Sequence, residues 1–337
     1  MEKVNSHSFR GIAEMKTSLK QRSKEIYQIT IPTPFLVGPI NTFLIRGDAL
    51  TLVDTGPKTD DALTQMRNKL AECNVRTSDI DIVVLTHHHP DHIGLVQEFL
   101  PNAKLVGHPK LRPWLERDEQ FLLNTRNYFY NFYEEHGVPM NWIEEMDRIH
   151  NNYLKYTTKV PLDLEVSEGD TIDGLPHWRV IETPGHAQSH ISLIHEQDGT
   201  AIAGDHLIAH ISSNAIIEAP YWNEVERPKT LIQYREALKK CLHTSFIYSG
   251  HGDGIENPRE LIEERLKGME EKAQVFKRKM GEEPIQVFDL SKKLYPKIYQ
   301  KQTALTFSET LGHLDLLEEQ GEVTSFSEND RTYYRKT

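Results

Sequence analysis

The segment IDIVVLTHHHPDHIG, residues 80–94, constrains this chain more than any other stretch. An apolar, β-branched run stops at Thr86 and is followed within six residues by His87, His89, Asp91 and His92. Side chains alternate along a strand, so His87 and His89 leave it on one side and His88 on the other. Two imidazoles can then meet one ion, while Asp91 and His92, in the turn that follows, reach a second ion beside it. Zinc favours imidazole nitrogen and carboxylate oxygen and takes about four or five donors, more than this cluster can supply twice over. Three other positions share one local design, a polar side chain after an apolar strand and beside glycine: His186 in TPGHAQSH, Asp205 in IAGDHL and His251 in YSGHGD. Glycine lets the backbone turn tightly beneath an ion.

Short β-branched runs separated by turn signals fill residues 26–106, namely IYQITI, INTFLI, LTLVDTG, IDIVVLTH and KLVGHP. Apolar spacing of about 3.6 predicts one helix among them, over residues 60–74. A second block, residues 162–252, repeats the interleaving: HWRVIETPG, HISLIHE, GTAIAGDHL and SFIYSGHG read as strands and TLIQYREALKKCL as a helix. Two such halves predict a layered α/β sandwich.

Between the blocks, residues 111–156 carry aromatics among acids at helical spacing. They predict a pair of amphipathic helices. Phe129, Phe132, Tyr133, Trp142 and Ile143 would then either fill a satellite core or belong to a lid. Residues 255–283 read as a long, charge-laced helical connector with a solvated surface. Residues 284–337 read as a helix around FDLSKKLY, then a helix with Leu311, Leu314 and Leu317 on one face and Gly321 as its stop. Two short strands, EVTSFS and RTYYRK, follow. Helix, helix and β-ribbon predict a winged-helix appendage after a catalytic domain spanning residues 1–254.

Composition narrows the class. With Cys73 and Cys241 as its only cysteines, the chain cannot build a disulfide framework. No apolar run approaches the roughly 18–20 residues of a membrane-spanning helix, so no membrane partner is expected. The N-terminus carries no apolar segment of the secretory kind, and a reducing cytosol is the expected compartment. The net charge is −11, and residues 255–337 hold 14 Lys+Arg against 16 Asp+Glu, so nucleic acid is a disfavoured partner. No Ser-His-Asp arrangement, phosphate-cradling glycine loop or Cys-x-x-Cys competes with the metal reading.

The motif His-x-His-x-Asp-His, followed at a distance by His, Asp and His, resembles the signature of the metallo-β-lactamase superfamily, and the resemblance spans residues 26–254. It implies a four-layer αββα sandwich holding two divalent ions, zinc first, with iron or manganese as alternatives. On that likeness His87, His89 and His186 hold one metal, Asp91, His92 and His251 the other, and Asp205 bridges them. Asp54, in LTLVDTG, matches an acidic position that supports the ligands without being one, and His190 matches a position that hydrogen-bonds behind them. His88 and His206 are read as structural.

Charge counting indicates the chemistry. Two divalent cations, less Asp91, Asp205 and a bridging hydroxide, leave about one positive charge for an oxyanion. That favours hydrolysis, with the hydroxide attacking an ester-like bond and Asp91 accepting and later returning a proton. The tail resembles the branch that includes β-lactamase-like thioesterases and ribonucleases. The leading expectation is hydrolysis of a small thioester, as in glyoxalase II, or a lactone. The alternatives are RNA cleavage on the same centre, a mononuclear-iron sulfur dioxygenase, or a DNA-binding regulator, this last by fold analogy alone. Phe129, Tyr130, Phe132, Tyr133 and Trp142 are the expected substrate wall.

Overall fold

The β-branched runs of the first block pair in sequence order. In the computed structural model, which describes residues 18–21, 25–222 and 224–337, they form the five central strands of a seven-stranded sheet. Its strands are β1 (Ser18–Gln21), β2 (Ile26–Ile31), β3 (Ile40–Arg46), β4 (Leu50–Val53), β5 (Ile82–Leu85), β6 (Lys104–Gly107) and β7 (Leu164–Glu165). Residues 1–17 and 22–24 of the N-terminal stretch read above lie outside the described residues. Pairing is antiparallel from β1 to β4 and parallel from β4 to β7. Parallel neighbours need crossovers, and α1 (Asp60–Glu72) supplies the one from β4 to β5. Thr59 caps it by accepting from the Ala62 N–H, and Asp60 and Asp61 favour its positive end.

The second block gives a four-stranded sheet of β8 (Trp178–Glu182), β9 (Ile191–His195), β10 (Thr200–Ile202) and β11 (Phe246–Tyr248), ordered β11-β10-β9-β8. The two sheets face each other across one apolar layer, where Phe43, Val53 and Val84 meet Val180, Leu193 and Tyr248. Helix α1 covers the outer face of the first sheet, with Ala62, Met66 and Leu70 against Ile29, Leu52 and Val83. On the outer face of the second sheet, Ala201 and Ile247 meet Leu231 and Tyr234 of α6 (Thr230–Lys240). Helix, sheet, sheet and helix are thus stacked, and the metal-compatible residues lie on loops beyond strand ends.

Two expectations change here. The connector is α7 (Pro258–Lys279), and it is not merely solvated: Ile262, Met269, Ala273 and Phe276 are buried. The tail has the expected order, α8 (Val287–Leu294), α9 (Thr303–Glu319) and a ribbon of β12 (Val323–Glu328) and β13 (Arg331–Lys336). Yet Phe307, Leu311 and Leu314 of α9 share one core with α6, α7 and the second sheet. Helix α9 is buried on every side, as a helix enclosed by others must be.

The insert also differs from its expected role as a substrate wall. It comprises α3 (Arg112–Leu115), α4 (Glu119–Glu135) and α5 (Met140–Tyr153), and it follows α2 (Pro90–Ile93), the turn carrying Asp91 and His92. Phe132 and Tyr133 meet Phe307 edge-on, at 6.1 and 5.0 Å between ring centres. Trp142 packs beside Phe288 and Tyr299. Phe129 stacks on Tyr133, and Tyr130 lies beneath the Arg126 guanidinium. The tail offers Phe132, Tyr133 and Trp142 apolar surface to bury against, and Phe129 and Tyr130 pack on neighbours in their own helix.

Arg227 fastens the arrangement. Its guanidinium grips both oxygens of Asp315 on α9, at 2.7 and 2.5 Å, and lies over the Phe132 ring. Asp315 is 2% exposed as a side chain, so removing it strands a charge in the interior. Asp315→Ala should cost about 3–5 kcal/mol in urea unfolding, and Arg227→Met with Asp315→Leu should recover most of that. An Asp315→Ala chain as stable as the parent would contradict this role for the pair.

Candidate metal centre

Strand β5 ends on the network that builds the site. Asp54, one residue past β4, adopts a left-handed backbone (φ 60°) that Asp tolerates better than most residues. Its Oδ1 accepts from the Thr86 N–H at 2.8 Å, and its Oδ2 accepts from the Thr86 hydroxyl at 2.8 Å and faces His92 Nδ1 at 2.8 Å. The Thr86 hydroxyl, already donating to Asp54, accepts from His87 Nδ1 at 3.0 Å. One carboxylate therefore sets the ring orientation of two histidines.

The other rings are fixed in the same manner. His186 Nδ1 faces the Asn214 carbonyl at 2.9 Å, and His251 Nδ1 faces the Pro39 carbonyl at 2.8 Å. A carbonyl only accepts, so Nδ1 carries a proton and Nε2 is turned inward, the orientation metal-binding imidazoles require. His190 accepts from the Asp205 backbone N–H through Nε2 at 3.2 Å while Nδ1 meets Thr183, which places it behind Asp205.

The free atoms converge. His89 Nδ1 lies 3.0 Å from both His87 Nε2 and His186 Nε2. Asp205 lies 3.6 Å from His186 Nε2 through Oδ2, 3.4 Å from His251 Nε2 through Oδ2, and 3.4 Å from His92 Nε2 through Oδ1. Asp91 Oδ2 is 3.4 Å from His251 Nε2. Donors about 2.0–2.1 Å from a tetrahedral ion stand about 3.3 Å apart, so these separations match the edges of such sites. Three overlapping groups result: His87, His89 and His186; His87, His92 and Asp205; and Asp91, His92 and His251. All seven residues named from the sequence come together, with Asp205 between the sets.

Electrostatics favour a cation. Burial, reinforced by neighbouring imidazoles, holds His87 and His89 well below the usual imidazole range, so both are neutral donors. Burial also opposes charge on His92 and His251, yet the surrounding carboxylates hold both up, His251 to about 10. Positive charge is wanted at that end. Among the described residues His92 Nε2, His251 Nε2 and Asp205 Oδ1 are buried without a hydrogen-bond partner, as atoms awaiting an ion would be. The approach depends on glycine: a Cβ on Gly250 would lie 2.3 Å from Asp205 Oδ1, and one on Gly204 2.7 Å from the Thr86 hydroxyl.

His88 points away, as expected, and stacks flat on Trp114 (4.5 Å, 7°). His206 is fully buried, edge-on to Tyr234. Sequence reasoning missed Trp114, Tyr221 and Glu218. Trp114 Nε1 donates to the Tyr221 hydroxyl at 2.6 Å, and that hydroxyl donates to Glu218 Oε2 at 2.7 Å. Glu218 Oε1 accepts from the Gln188 N–H at 2.6 Å, on the loop that carries His186. The only sequence signal was an acid beside aromatics in EAPYW.

Burial pushes the Glu218 carboxyl up from 4.5 to about 7. The folded chain thus holds a proton that the unfolded chain releases, and the stability gained is complete below about pH 4.5 and lost as pH rises through about 7. Relative to Glu218→Gln, the parent should lose about 3 kcal/mol between pH 4.5 and 8 in urea unfolding. A stability difference that stayed constant over that range would refute this.

Comparison with known proteins agrees with the geometry. A family model described as the metallo-beta-lactamase superfamily matches residues 36–251. The chain is 38% identical to the probable metallo-hydrolase YqjP of Bacillus subtilis (strain 168), over 93% of this chain and 98% of that one. It is 28% identical to a hydroxyacylglutathione hydrolase of Cereibacter sphaeroides, over 38% of this chain and 34% of that protein. The crystal structure of a metallo-beta-lactamase family protein from Thermus thermophilus superposes with a TM-score of 0.76 at 25% identity, covering 93% of this chain and 99% of that one. With the matched span enclosing all seven converging residues, the chain belongs to the metallo-beta-lactamase superfamily and is a metallo-hydrolase.

Proposed function

We propose that this hydrolase cleaves an ester-like bond, a thioester or a lactone, in a small substrate at a dinuclear zinc centre. The observation that carries the reading is the position of Asp205, within 3.4–3.6 Å of His92, His186 and His251, which draws the two donor sets into one centre. Two divalent ions there would lower the pKa of shared water towards about 7 and polarise the attacked carbonyl.

The chain's own residues supply the rest. Asp91 keeps one oxygen 3.4 Å from His251 Nε2 and the other 4.0 Å from His92 Nε2, and it is 7% exposed. From there its carboxylate accepts a proton from water and returns it to the leaving group. His190 and the Asp54–Thr86 pair keep the donors from turning. The charge count disfavours RNA as substrate, and the buried α9 supports reading the winged-helix-like tail as a packing module. A mononuclear-iron oxygenase would leave Asp91, His92 and His251 without a task. The free thiols of Cys73 and Cys241, both buried, fit a reducing cytosol.

Asp91→Asn should lower turnover about 10²–10⁴-fold while zinc content is largely kept. Metal-replete protein should hydrolyse members of a panel of thioesters and lactones and leave RNA intact. Near-normal turnover in Asp91→Asn would remove that residue's role, and RNA cleavage without ester hydrolysis would replace the reading.

A further inference from the structure

Helix α5 ends in two rings whose polar atoms have no hydrogen-bond partner among the described residues, His150 and Tyr153. Three residues apart, they share one face of the last turn, and each joins a different aromatic group beside the metal centre. Tyr153 meets Phe35 edge-on at 5.6 Å, and Phe35 meets Tyr156 edge-on at 5.2 Å. Phe35 stands four residues before Pro39, whose carbonyl orients His251. The chain after α5 packs against α2, which carries Asp91 and His92. The Tyr156 carbonyl accepts from the Lys58 N–H, and a Cβ on Gly94 would lie 2.4 Å from that oxygen. This first group therefore borders the Asp91, His92 and His251 end, and the phenol of Tyr153 feels the Asp91 charge.

The second group borders the other end. His150 meets the edge of Trp114 at 5.9 Å, and Trp114 stacks on His88, which sits between His87 and His89. The last turn of α5 thus lies between Phe35 on one side and Trp114 on the other. Tyr153 is 44% exposed and Leu36, next to Phe35, is 83% exposed, so the first border is open to solvent. His150 is exposed, and the protein packed around it still holds its imidazole below the usual range.

We infer that Phe35, His150 and Tyr153, backed by the buried Trp114, form an aromatic mouth beside the metal centre that selects substrates with a flat, neutral acyl group, such as an arylacetyl group. The inference rests on the ester-hydrolase reading for the reaction but not for the binding. The Tyr153 and Phe35 rings at the open border gain from a planar group beyond the area it buries. The imidazole and phenol add hydrogen-bonding atoms but supply no cation to pair with the second carboxylate of a dicarboxylic acyl group. Tyr153 and His150 would touch the substrate.

The test is calorimetric binding of the product acids phenylacetate, hexanoate and succinate to the metal-replete chain, with metal content measured on every variant. Phenylacetate should bind at least about tenfold more tightly than succinate, and more tightly than hexanoate. Phe35→Leu and Tyr153→Leu should each weaken phenylacetate about two- to tenfold with metal retained, and Tyr153→Phe, which keeps the ring, should restore most of the loss. Equal affinity for the three acids, or phenylacetate binding that ignores both leucine variants, would overturn the mouth. Selective binding without any thioester or lactone turnover would support the mouth and overturn the ester reading instead.

Discussion

Asp54, Asp91 and Asp205 are each at most 7% exposed and lie against one knot of histidines. Carboxylates taken out of water cost several kcal/mol each unless opposite charge or hydrogen bonds offset the loss. Asp54 is satisfied by Thr86 and His92. Asp91 and Asp205 face imidazoles, and among the described residues an Asp205 oxygen is left with no hydrogen bond. Much of the architecture follows from giving these two carboxylates a cation. Strand ends from both sheets bring donors to one edge, and carbonyls and hydroxyls on the far side of each ring turn a lone pair inward.

Rigidity is supplied from outside the sandwich. The loop carrying His186 is held on one side by Ser213 and the Asn214 carbonyl and on the other by Glu218 through Gln188. Glu218 is in turn reached by Trp114 through Tyr221. The insert therefore reaches the His186 loop through Trp114 and packs Tyr153 on Phe35 at its two ends, while its middle is committed to the C-terminal helices. This division explains how one segment can be both packing and rim.

Local pattern revealed the centre because each ligand follows an apolar run or a glycine within a few residues. The strand ends at His87 and His89, and the glycines beside His186, Asp205 and His251, are nearest-neighbour facts. The orientation of the insert is not local. Phe132 and Phe307 stand 175 positions apart, and nothing in the spacing of α4 says whether its apolar face meets a tail or a substrate. Phe35 lies in a proline-bounded loop with no period, and Tyr153 is one aromatic among many. The tail shows the same limit: its helices were legible from Leu311, Leu314 and Leu317, but their enclosure by α6 and α7 depends on contacts that no local pattern encodes.

The central claim is that two sets of donors share Asp205 around two ions. Metal content of the metal-replete chain and of Asp205→Ala, measured by mass spectrometry on folded protein, tests it most directly. The account predicts about two transition-metal ions per chain, zinc among them, and depletion of both in the variant. One ion per chain, unchanged by Asp205→Ala, would contradict it.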